Sequence, residues 1–103
     1  MIYSIVTMMI KQAKMEAFLA ECRKIRPLVL AEEGCLMYDY TREIATGSDR
    51  QEPIDPNRIT LYEKWASTEA LDIHSAMPYM TEFVTRVAPL RESVVIRTGT
   101  AAF

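Results

Sequence analysis

The stretch from Asn57 to Val87, with ITLYEKWASTEALDIHSAMPYMTEF at its centre, constrains the fold most, because it reads as one strand followed by two helices. Ile59 to Trp65 alternate, with Ile59, Leu61, Glu63 and Trp65 on one face and Thr60, Tyr62 and Lys64 on the other, as pleating requires. One face therefore carries both a carboxylate and an indole. Ser67 stands where an N-cap is wanted, Glu69 and Asp72 load the opening turns with negative charge, and no glycine intervenes before His74. These signals predict a helix from Thr68 to about Ser75, and Pro78 opens a second one that runs to about Val87. On the first, Ala70, Leu71 and His74 fall at i, i+1 and i+4, which turns the chain's only histidine to the apolar, inward side and away from Glu69 and Asp72. An inward histidine near an inward tryptophan is the sharpest functional clue in the sequence.

From the N-terminus, residues 2 to 10 form an apolar, β-branched run on both faces, Ile2, Val6 and Met8 against Tyr3, Ile5 and Met9. Such a strand needs cover on both sides. Residues 12 to about 32 then predict a helix whose Met15, Phe18, Leu19, Cys22, Ile25 and Val29 recur at spacings of three and four. Pro27 lies inside that pattern, so a kink or a break is expected there, and Gly34 stands where a left-handed C-cap would end the helix. Residues 35 to about 44 predict the second strand, with Leu36, Tyr38 and Tyr40 on one face and Cys35, Met37 and Asp39 on the other. The segment ATGSDRQEPIDP, from Ala45 to Pro56, is a loop by composition and exceeds the usual hairpin length of about 2–5 residues. Pro89 interrupts the last helical pattern, and Glu92 to Thr98 predict a fourth strand.

The order β-α-β-β-α-β is the split βαβ, ferredoxin-like arrangement: an α+β fold with an antiparallel four-stranded sheet and its helices on one face. A chain of 103 residues has room for one domain, spanning 1–103, which buries roughly 65% of its unfolded surface. Half the residues are apolar and the net charge is −2, so the chain is globular, neither disordered nor strongly polyionic. The Lys and Arg residues are scattered, with no basic stripe among aromatics, which excludes nucleic-acid binding. The run MIYSIVTMMI has no preceding positive charge and no small-residue cleavage site, and it is too short to cross a bilayer, so a cytoplasmic protein without membrane attachment is expected. Cys22 and Cys35 lack the spacing of a zinc or redox site and read as two buried small side chains. With both helices on one face, the apolar second face of strands one and four calls for a homodimer that packs sheet against sheet.

EEGCLMYDY together with the Ile59 to Phe83 block resembles the antibiotic biosynthesis monooxygenase family, carried by Glu33, Gly34, Cys35, Leu36 and Tyr38, then Glu63, Trp65, Ala70, His74, Pro78 and Phe83. The resemblance implies a dimeric α+β barrel and, among the family's activities, a cofactor-independent monooxygenase that oxidises a small electron-rich aromatic with dioxygen, using neither metal nor flavin. It would make His74 the base and Trp65 and Tyr38 catalytic aromatic walls, with Glu63, Leu36, Tyr79 and Phe83 lining the substrate pocket. Imidazole is the side chain suited to proton removal near neutrality, and a deprotonated dihydroxy-aromatic can pass an electron directly to dioxygen in a dry pocket. Glu63 could instead pair structurally with an arginine such as Arg97. Relatives that degrade haem also use a tryptophan on this strand and a histidine on this helix, but carry an asparagine on the first strand where Thr7 stands here. A hydroxy-ketone isomerase and a non-catalytic dimeric ligand-binding module are the remaining alternatives.

Overall fold

The first strand, β1 (Ile2–Ile10), sits inside the sheet because its alternation gives it two usable faces: Ser4, Val6, Met8 and Ile10 are buried while Tyr3 and Ile5 stay exposed. The computed structural model describes residues 1–103. After β1 come α1 (Met15–Leu30), β2 (Cys35–Arg42), β3 (Arg58–Trp65), α2 (Thr68–Ala76) and α3 (Pro78–Val87), then a 3₁₀ turn at Ala88–Leu90 and β4 (Arg91–Thr100). The sheet order is β2-β3-β1-β4 with every pairing antiparallel, the ferredoxin-like α+β arrangement expected from the sequence. The helices lie on one face, where Phe18, Cys22, Ile25 and Val29 of α1 and Phe83 and Val87 of α3 pack with Val6, Met8, Tyr38, Ile59, Leu61 and Trp65. No helix is long and apolar enough to cross a membrane.

Three local expectations are corrected. Pro27 does not break α1, which runs as one helix from Met15 to Leu30. Proline costs one helical bond, at the carbonyl four residues back, and that residue, Arg23, is exposed to water. Gly34 is not the helix cap: α1 closes at Ala31 in a right-handed conformation, its N–H bonded to the Pro27 carbonyl. Gly34 lies three residues later, in the turn into β2, with φ +86°. A Cβ there would come within 2.7 Å of the Ala70 Cβ, so this glycine permits both the backbone turn and the close approach of α2. Third, the β2–β3 register shifts between Cys35 and Met37, a bulge that removes Leu36 from the face of Tyr38 and Tyr40. Leu36 is 51% exposed. The two cysteines are free thiols, but only Cys22 is buried; Cys35 is half-buried.

The hydrogen bond from the Ala70 N–H to Ser67 Oγ caps α2, as the sequence predicts. Residues 45 to 56 form no helix or strand, and the ion pair of Arg58 with Glu43 ties the two sides of that loop together.

Candidate functional site

A cavity of about 550 Å³ lies between the helix-covered face of the sheet and the helices α2 and α3. Of the residues singled out in the sequence, His74, Glu63, Tyr38 and Phe83 line it. His74 is 4% exposed, and its ring lies over Trp65 with centroids 4.6 Å apart and planes inclined by 35°. Tyr38 meets the same ring edge-on at 5.6 Å. The period of two on β3 and the helical spacing on α2 thus bring indole and imidazole together.

What holds the imidazole is a residue that the sequence reading passed over. Glu32, in the turn after α1, accepts a hydrogen bond from His74 Nδ1 at its Oε2, 2.9 Å away, with both side chains about 6–7% exposed. The Tyr79 hydroxyl donates to the same oxygen, while the other oxygen, Oε1, is buried without a partner. A carboxylate only accepts, so the ring proton of neutral His74 sits on Nδ1 and Nε2 keeps its lone pair. Burial, and then the bond to Glu32, raises the pKa of Tyr79, so its hydroxyl keeps the proton that it donates. The signal for Glu32 was present: Phe18, Cys22, Ile25 and Val29 advance by three or four, and the next step reaches Glu32.

The remaining sequence candidates divide by position. Trp65 and Tyr79 stand behind the lining, Trp65 wholly buried beneath His74 and Tyr79 bonded to Glu32. Leu36, turned out by the bulge, has no place in the cavity. Glu63 does not pair with Arg97, which lies opposite Ile5 on the other face of the sheet. Its Oε1 accepts from Trp65 Nε1 at 3.0 Å. Burial pushes the Glu63 carboxyl above the ordinary range, partly offset by that bond and by His74 nearby. Burial likewise raises the Tyr38 phenol, which therefore enters the pocket as a proton donor. Thr7 faces away from the cavity, and the hydroxyl that β1 contributes is Ser4, 3.1 Å from Thr98 Oγ1 on β4. No three His, Cys, Asp or Glu side chains are grouped so as to hold a metal ion.

The antibiotic biosynthesis monooxygenase family model matches residues 1–86. The chain belongs to this family. Among its relatives, the Escherichia coli K12 protein named "Probable quinol monooxygenase YgiN" is 35% identical over 68 residues. That match covers 66% of this family member and 64% of YgiN, just under two thirds of the relative's length. Two solved structures share the family member's architecture. Rv0793 from Mycobacterium tuberculosis superposes with a TM-score of 0.83 at 21% identity, over 99% of this chain and 95% of that one. SO0527 from Shewanella oneidensis gives 0.79 at 26% identity, over 95% and 87%.

Proposed function

We propose that this protein is a cofactor-independent monooxygenase that oxidises a small electron-rich hydroxy-aromatic, a quinol or a polyketide-like phenol, with dioxygen. The observation that carries the reading is the oriented base: the buried His74 lines a largely apolar cavity with Nδ1 tied to Glu32 and Nε2 free to accept a proton. Family membership and the likeness to a relative named as a quinol monooxygenase support the same chemistry.

In this reading His74 Nε2 takes the phenolic proton, and the phenolate passes one electron to dioxygen. The aryloxyl radical and superoxide join at a ring carbon that bears hydrogen, ortho or para to the oxygen, and the peroxide recovers the proton from His74. Loss of that carbon's hydrogen with cleavage of the O–O bond releases water and leaves a quinone carbonyl. One oxygen atom of dioxygen ends in product and the other in water. Tyr38 hydrogen-bonds a substrate oxygen, and Phe83, Leu61 and Val6 hold the ring and keep water out. Trp65 supports the imidazole from behind rather than walling the pocket. The protein works as a homodimer that buries the outer sheet face, where Tyr3, Ile5, Tyr62 and Val95 are exposed.

Dioxygen consumption by metal-free protein, supplied with a panel of hydroquinones and polycyclic hydroxy-aromatics, tests the reaction. Uptake is expected with the wild type and a loss of about 100-fold or more with His74→Ala. Absence of uptake across the panel, or an unimpaired variant, refutes it.

A further inference from the structure

The cavity has two chemically different ends. Along β1 it runs from Ser4 to Met8, four residues and so about 13 Å of strand. At the Ser4 end stand Glu63, His74 and Thr98; the middle, Val6, Leu61 and Ile96, is apolar. At the Met8 end, beside Val94, stands Arg91.

Arg91 is the first residue of β4, and the register shift between Met9 and Ile10 sets it opposite Ile10. Its guanidinium reaches over the inner face, where Nη1 lies 3.4 Å from Met8 Sδ, a weak acceptor and its only hydrogen-bond partner. No carboxylate lies within ion-pair distance: the acidic partners in the fold go to Lys24, Arg26, Arg58, Arg86 and His74. Its other neighbours with titratable groups are Cys22 and Tyr40, both held protonated by burial, the thiol with its pKa near 11. The guanidinium is half-buried and feels the cost of desolvation, yet arginine does not give up its charge. A permanently charged fork, partly desolvated against a cavity wall and lacking an acid, is complementary to a planar anion.

We propose that Arg91 is the specificity-determining residue of this pocket and that the substrate is an aromatic acid, binding its carboxylate at Arg91 with its reacting hydroxyl at His74. The proposal rests on the cavity being the substrate site, as read above, and adds the charge of the substrate and its direction along the cavity. The apolar middle accommodates the ring system, and the acidic end, Glu63 with Asp72 at the rim, disfavours the reverse orientation.

A binding comparison that needs no turnover decides it. A hydroxynaphthoic acid with its hydroxyl and carboxylate on opposite rings is titrated against its methyl ester by calorimetry, with the wild-type protein and with Arg91→Gln and Arg91→Lys. The wild type should bind the acid at least roughly tenfold more tightly than the ester, the worth of a charge-assisted pair. Arg91→Gln should abolish that preference and Arg91→Lys should keep part of it. Equal binding of acid and ester by the wild type, binding of neither, or an unchanged preference in Arg91→Gln each overturns the proposal. The wild-type comparison stands even if a variant fails to fold. Failure of oxygen uptake alone would sink the proposed reaction while leaving the preference for the acid intact.

Discussion

Replacing Gly34 by alanine should be the most informative single change, because it loads two separate costs onto one methyl group. At φ +86° an L-residue pays for left-handed backbone, about 1–2 kcal/mol. The added Cβ also meets the Ala70 Cβ at 2.7 Å, which no rotamer change relieves since neither methyl can turn away. Overpacking of this kind costs about 1–3 kcal/mol. The total, roughly 2–5 kcal/mol, is a large part of the ~5–15 kcal/mol by which a domain is stable. For a chain of this length it should lower Tm by on the order of 10–30 °C in thermal denaturation followed by circular dichroism. Ala70→Gly alone should cost only the helix propensity of glycine, about 1 kcal/mol. In the Gly34→Ala background the same change should recover the collision, giving a favourable coupling of about 1–3 kcal/mol in a double-mutant cycle. The pair also sets where α2 lies, and Ala70 is one helical turn before His74. Folded Gly34→Ala should therefore lose about 100-fold in oxygen uptake, and the double variant should regain most of it. Additivity within about 0.5 kcal/mol, or a Gly34→Ala cost below about 1 kcal/mol, would refute the contact argument.

Glu32→Gln keeps the side chain's shape but can present an amide N–H to His74 or Tyr79; kcat should fall about 100-fold or more while KM changes little, and retention of kcat would show that Glu32 does not position the base. Glu63→Gln tests the buried carboxyl. Its raised pKa means that the stability contributed by its protonated form is fully present below the ordinary carboxyl pKa and is lost as pH rises through the raised value. The glutamine variant should therefore gain in Tm over the wild type at pH 7 and lose that gain below about pH 4, and a lower Tm at pH 7 with no pH dependence would contradict the assignment. Ile5→Asp places a charge at the centre of the exposed outer sheet face; light scattering should show monomer in place of the proposed dimer, and a wild type that is already monomeric at micromolar concentration removes that proposal.

The sequence conveyed most of the fold because its elements are locally consistent. The alternation from Ile59 to Trp65, the Ser67 cap and Pro78 at N1 each needed only near neighbours to be read, and α3 spans the residues expected of it. What was misread depended on contacts across the fold. Leu36 obeys strict alternation in sequence, but a single-residue bulge reverses its face, and a bulge is set by the partner strand. Gly34 looked like a helix cap because it follows a helix; its actual constraint comes from Ala70, thirty-six residues away, which no local pattern encodes. Glu63 and Trp65 were read as site residues without foresight that they bond each other. Their spacing of two on a strand made that contact available all along.

The arrangement around His74 also explains why a short, unremarkable turn between α1 and β2 matters to the proposed chemistry. Glu32 closes that turn's helix side and Gly34 its strand side, so one segment both fixes the imidazole through a carboxylate and lets α2 approach closely enough for the imidazole to be fixed. Two donors on two helices, His74 and Tyr79, converge on one Glu32 oxygen, and neither helix can shift without leaving a buried carboxylate less well satisfied. The Met8 end of the cavity has no comparable network: Val94 of β4 is exposed, and Arg91 has only a thioether as a hydrogen-bond partner. In the proposed reaction the hydrogen-bonded end is thus where the proton is moved, and the open end at Arg91 is where the identity of the substrate can be selected without disturbing the base.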